Sequence, residues 1–145
     1  MRQKTLPMPR LDKYHPHVRA ALEKDGWTIT HDPFPLEYDD TVMSVDLAAE
    51  RILAAERGTE KIAVEVKTFS KPSLVNSFHE ALGQYEMYDT VLQETDPERL
   101  VYLAAPETYY QNFLSKPLGQ LIIRKKKMRL IIFDEDKMTV LQWIK

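Results

Sequence analysis

The chain has 145 residues, 43% hydrophobic and 29% charged, with a formal net charge of −2, which suits one soluble domain with a single core. It contains no cysteine, which excludes disulfides and thiol chemistry. It has no apolar run long enough to span a membrane and no signal-peptide centre in Met-Arg-Gln-Lys-Thr-Leu-Pro, so a cytoplasmic protein without a membrane role is expected; a pI near 6.1 argues against strong non-specific DNA binding by the free chain.

Residues 1–10 read as a loose tail and 11–145 as one domain. The spacing of His15, Val18 and Leu22 predicts a helix over 11–25, with Asp12 as its cap and Gly26 as its stop. His15 then faces the core and His17 points away. A zinc site would need His and carboxylates only, and the four histidines (His15, His17, His31 and His79) show no tight ligand spacing apart from His15-Pro-His17. A strand is expected over 27–31, broken by Asp32-Pro-Phe-Pro35. Residues 41–52 read as a second strand and 61–69 as a third after a turn at Gly58, together an antiparallel meander. Ser73 is a plausible cap for a long helix ending near Glu94, whose apolar stripe is Leu74, Phe78, Ala81, Leu82, Tyr85 and Leu92. Residues 99–105 read as a fully buried strand, and a strand-helix-strand step favours a parallel or mixed sheet. A short helix over 106–114, a hairpin over 120–134 turning at the basic Arg124-Lys-Lys-Lys-Met-Arg129, and a last strand over 140–144 complete the reading. The basic run is expected to be solvated. The order is α-β-β-β-α-β, then smaller elements.

The most informative stretch is Lys61-Ile-Ala-Val-Glu-Val-Lys-Thr-Phe69. Its period of two sets Glu65 and Lys67 on one face, with Cα atoms about 6.5 Å apart. Burying such charges is costly unless something uses them. Nineteen residues upstream, Asp46 sits between Val45 and Leu47. Two carboxylates converging from adjacent strands can hold Mg²⁺, with Mn²⁺ as a substitute, and lower the pKa of a bound water. Lys67 can orient that water or offset charge on a phosphate. A plain Glu65–Lys67 pair at a sheet edge is the bland alternative. On the long helix, Glu80, Gln84 and Tyr88 fall at i, i+4 and i+8, where they line the rim of the same site or form an ordinary polar edge. His15 is a further candidate to complete the site, or a satisfied core histidine. Glu23 and Glu50 read as solvated or paired, and Tyr109, Tyr110 and Trp143 as packing residues.

Asp46, Glu65-Val-Lys67 and the element order resemble the PD-(D/E)xK nuclease superfamily. Gln84 and Tyr88 are similar to the Gln-x-x-x-Tyr helix of its RecB-like branch. Val45 stands where the superfamily name has Pro. That resemblance implies an α/β, restriction-endonuclease-like core with a mixed central sheet flanked by helices. It also implies Asp46 and Glu65 as metal ligands, Lys67 and Gln84 as catalytic partners, and a homodimer. More specifically, Val18-Arg-Ala-Ala-Leu-Glu-Lys-Asp-Gly-Trp-Thr-Ile-Thr-His-Asp-Pro33, Val45-Asp-Leu-Ala-Ala-Glu-Arg51, Ala63-Val-Glu-Val-Lys67, Ala81-Leu-Gly-Gln-Tyr85 and Leu118-Gly-Gln-Leu121 look like the XisH family. Its members occur in cyanobacteria and are named for control of fdxN element excision during heterocyst differentiation. They act there beside a site-specific recombinase and a companion, XisI. Three readings follow from the resemblance. One is an Mg²⁺-dependent DNA endonuclease. The second is a non-catalytic factor that binds DNA, the recombinase or an XisI-like partner. The third is a toxin- or restriction-like element held in check by XisI.

Overall fold

Strand β5 (Gly58–Val66) organises the molecule. The computed structural model describes residues 13–54, 58–69 and 72–145; the expected tail and the Asp12 cap lie outside them. Helix α1 (His15–Lys24) starts with a proline in its first turn and stops at Gly26, whose φ of 90° favours glycine. Strand β1 (Thr28–His31) follows, then β2 (Phe34–Tyr38), β3 (Thr41–Val45), β4 (Leu47–Ala54) and β5. Helix α2 (Leu74–Thr95) is capped as expected, the Ser73 hydroxyl accepting from the Asn76 N–H at 3.2 Å. Strand β6 (Arg99–Pro106), the single turn α3 (Glu107–Tyr109), a π-turn over Tyr110–Leu114, helix α4 (Pro117–Lys126) and strands β7 (Leu130–Asp134) and β8 (Thr139–Ile144) complete the chain.

Six strands form one sheet in the order β1-β4-β5-β6-β7-β8. Pairing is antiparallel from β1 to β5, parallel from β5 to β7, and antiparallel again at β8. This is the expected mixed sheet flanked by helices, and along it the elements run α1, β1, β4, β5, α2, β6. The period of two in β5 divides the core. Ile62, Val64 and Val66 face α1 with Val18, Leu22 and Trp27, while Ala63 faces α2 with Phe78, Ala81 and Tyr85. Among the described residues no helix is long and apolar enough to cross a membrane.

The structure corrects the sequence reading in several places. The expected strand 41–52 is two strands, because the chain leaves the β2–β3 hairpin and enters the main sheet at Asp46. Pro35 does not break structure. It sits in β2 opposite Ser44, in a two-stranded sheet whose strands each have one unpaired edge. The strand expected to reach Phe69 ends at Val66. The expected hairpin over 120–134 is replaced by α4 and β7, so the basic run closes a helix. Pro117 sits in the helix's first turn, and Lys127 ends it in a left-handed conformation. Gly119 lets α4 approach the π-turn, since a Cβ there would lie 2.6 Å from the Phe113 carbonyl oxygen. In the α2 stripe, Leu74 is exposed and Tyr88 is buried.

Candidate functional site

The crossing point between the hairpin and the sheet builds the site. Leu47 pairs with Val64, so the preceding Asp46 lies beside Glu65. The two residues clamp each other through main-chain N–H groups. Val66 N–H donates to Asp46 Oδ2 at 2.8 Å, and Asp46 N–H donates to Glu65 Oε1 at 3.3 Å. The other oxygens face nitrogen-bearing side chains. Glu65 Oε2 is 3.7 Å from Lys67 Nζ, and Asp46 Oδ1 is 4.0 Å from His15 Nδ1. Glu65 and Lys67 therefore share a face as their spacing predicts, and Asp46 joins them.

Both carboxyl side chains are largely buried, 16% exposed for Asp46 and 7% for Glu65. Burial pushes the Glu65 pKa up to about 8, and the neighbouring Asp46 charge adds to the rise while Lys67 opposes it. Burial also raises Asp46, against the Val66 N–H, Glu65, His15 and Lys67. One proton shared across this pair is the low-cost state without a cation. Tyr88 packs beside it. Burial and then the Glu65 and Asp46 charges raise its phenol, which donates to the Ser44 carbonyl at 3.2 Å.

His15 is buried on the core side of α1, as predicted. Its Nε2 meets Asp32 Oδ1 at 2.6 Å, and Arg19 Nη1 donates to Asp32 Oδ2 at 2.6 Å. Its Nδ1 is buried without a hydrogen-bond partner among the described residues. A chain of polar contacts therefore runs from Arg19 through Asp32 and His15 to the carboxylate pair. Sequence reasoning passed over Asp32 and Arg19. The readable signal is an Asp directly after β1, although Asp32-Pro-Phe-Pro35 by itself signals only a strand-breaking turn.

Gln84 lies on α2 one turn before Tyr88, and its Oε1 is buried without a partner. No hydrogen bond joins it to the carboxylates among the described residues. Glu80 is exposed and Tyr88 buried, so the expected rim reduces to Gln84 and Tyr88. Glu23 pairs with Arg19 and Glu50 with Arg99, as expected of paired carboxylates.

Among the described residues, no three His, Cys, Asp or Glu side chains already gather as a metal cage. A hard cation that keeps several waters needs no such cage. Two adjacent buried carboxylates, each with one oxygen not held by a main-chain N–H, fit Mg²⁺ or Mn²⁺. A cation would also offset the burial that raises both carboxyls and the Asp46 charge that adds to the rise at Glu65.

The XisH protein family model matches residues 8–141. The fold is similar to that of an XisH family protein from Nostoc punctiforme PCC 73102. That match has a TM-score of 0.83 and 39% identity, covering 92% of this chain and all of that one. It is also similar to a fdxN element excision controlling factor protein from Anabaena variabilis, at a TM-score of 0.82 and 38% identity, covering 91% and 98%. The comparison with curated proteins gives no match. On the extent of the family match and the two structural likenesses, the chain belongs to the XisH family.

Proposed function

We propose that this protein is a divalent-metal-dependent DNA nuclease of PD-(D/E)xK type, acting in programmed DNA rearrangement such as fdxN element excision. The observation that carries the reading is the buried Asp46–Glu65 pair with Lys67 beside it, an arrangement that costs stability and makes no sense as packing. Bound Mg²⁺ would neutralise the pair and polarise a scissile phosphate. Asp46 and Glu65 are the ligands, oriented by the Val66 and Asp46 N–H groups. Lys67 offsets charge on the phosphate or orients the attacking water. Asp32 fixes the His15 ring so that Nδ1 faces Asp46. Gln84 contributes its buried amide to Lys67 or to DNA.

The test is cleavage of linear, supercoiled and branched DNA in Mg²⁺ and Mn²⁺, with and without an XisI-like companion. Cutting that Asp46→Ala and Lys67→Ala both abolish supports the assignment. Folded protein that cuts nothing under any of these conditions would count against it.

A second reading, a non-catalytic factor that binds the recombinase, an XisI-like partner or DNA, draws on the placement of charge. The basic end of α4 adjoins Glu60 and Leu100, about 16 Å along β5 from Glu65. The cations are therefore not gathered where a cleaved phosphate would sit.

A further inference from the structure

A second surface, unconnected with the carboxylate pair, carries its own charge pattern. A cavity of about 590 Å³ opens where β6 begins and β8 ends. Its floor is Leu100, Tyr102, Ile123, Met128 and Ile144, and its rim carries Arg124, Lys127, Arg129 and Lys145. Arg124 belongs to the last turn of α4, where cations offset the helix dipole. Lys127 caps that helix, whereas Arg129 and Lys145 come from just before β7 and just after β8, so the dipole alone does not account for the convergence. Glu60 is the acid at this cavity, and Arg51 neutralises it at 3.0 Å. Arg129 is engaged by Asp89 at 2.7 Å. No ion pair is formed by Arg124, Lys127 or Lys145 among the described residues. Leu100, which lines the same cavity as these cations, is 39% exposed.

The β2–β3 hairpin carries the complementary pattern. Its tip, Glu37-Tyr38-Asp39-Asp40-Thr41-Val42, holds three exposed carboxylates, and none forms an ion pair among the described residues. Tyr38 is 54% exposed and Val42 43%. An aromatic ring flanked by acids suits an apolar floor ringed by cations, with the ring also open to Arg124. A DNA backbone would meet the cations but leave the apolar floor wet.

We propose that the hairpin tip of one copy of this chain docks in the cationic groove of a second copy, with Tyr38 on the floor and Glu37, Asp39 and Asp40 against Arg124, Lys127 and Lys145. In a two-fold pair each copy supplies one tip and one groove, so the interface closes on itself. The inference stands apart from the proposed nuclease activity, since neither surface includes Asp46, Glu65 or Lys67.

Sedimentation equilibrium of the full chain tests it, with circular dichroism to confirm folding. Asp39 and Lys127 are left in place because both have positive φ. The wild type should dimerise, and more weakly in high salt. Glu37→Lys/Asp40→Lys and Arg124→Glu/Lys145→Glu should each weaken association at least about tenfold, because each opposes like charges. Mixing the two variants should restore a heterodimer, since both contacts then join opposite charges. Tyr38→Ser, which changes no charge, should weaken association as well. A wild type that stays monomeric at about 100-fold the concentration of a micromolar interaction would overturn the proposal. So would variants that dimerise normally, or a mixture that fails to restore the dimer. DNA binding lost in the groove variant while the wild type remains monomeric would reassign the groove to nucleic acid.

Discussion

Strand β5 and its neighbours bury charge at both ends, in opposite ways. At one end Arg99, 6% exposed, is fully partnered. It donates to the Ile62 carbonyl at 3.0 Å and meets Glu50 and Asp96, each at 3.3 Å. Lys61 adds a second cation to Asp96 at 3.6 Å, and Arg51 pairs with Glu60 while lying over the Trp27 ring. At the other end two carboxylates lie side by side with Lys67 as the nearest cation, and both titrate above their ordinary range. The first arrangement is a satisfied network that holds β4, β5 and β6 in register. The second gives up stability to keep a pair of acids together. Buried charge by itself is therefore no sign of function; the sign is charge that the fold leaves uncompensated.

The comparison can be broken most directly at Arg99. Arg99→Ala should lower stability by about 3–5 kcal/mol in urea melts, because Ile62, Glu50 and Asp96 lose their shared partner. Glu65→Gln at pH 9 should instead raise the midpoint by removing a buried ionised carboxylate. Equal losses for both variants would erase the distinction between the two ends.

Metal sharpens the contrast next. Mn²⁺ or Mg²⁺ at a hundred times its dissociation constant should stabilise the wild type by about 2.7 kcal/mol. Asp46→Asn should abolish that shift, while still accepting the Val66 N–H. Calorimetric melts that show no metal response at millimolar concentration would remove the metal centre from consideration.

The pH dependence follows in size. A carboxyl whose folded pKa is raised contributes stability that is fully present below about pH 4.5 and is lost as pH climbs through about 8. Metal-free protein should therefore lose stability over that window through Glu65, with a limiting slope of about 1.4 kcal/mol per pH unit. Glu65→Gln should flatten the slope in a series of melts from pH 4 to 9. A divalent cation should stabilise more at pH 8 than at pH 5, since protons compete for the same oxygens.

The smallest expected effect lies at the rim. Tyr88→Phe removes the bond to the Ser44 carbonyl and should cost about 1 kcal/mol. If it also changes the metal response, the hairpin that ends at Asp46 is coupled to the site. If the melt alone moves, Tyr88 only anchors the hairpin.

Much of this was legible in the chain. The period of two through Ile62, Val64 and Val66 reports a strand buried on both faces, and it places Glu65 and Lys67 together because β geometry leaves no other choice. The helical spacing of Phe78, Ala81, Tyr85 and Leu92, with Ser73 before it, gave α2 nearly to the residue. The basic run over 124–129 misled, because its apolar neighbours Leu121, Ile122 and Ile123 suit a strand as readily as a helix. Packing of Gly119 and Ile123 against the rest of the chain settles it as α4. The hairpin was hidden by Pro33 and Pro35, whose local signal is a break. Their tolerance depends on which strand edge stays unpaired, and that is not a local property.

The chain alone determined which candidate residues share a face, since that depends on spacings of a few residues. Only the tertiary structure decided that Asp46 lies against Glu65, that His15 reaches the pair from the opposite face of the sheet, and that Asp32 and Arg19 stand behind it. Those contacts join residues from thirteen to thirty-one positions apart in the chain. They follow from strand register and from the turn of the chain at Asp46, which no local pattern encodes.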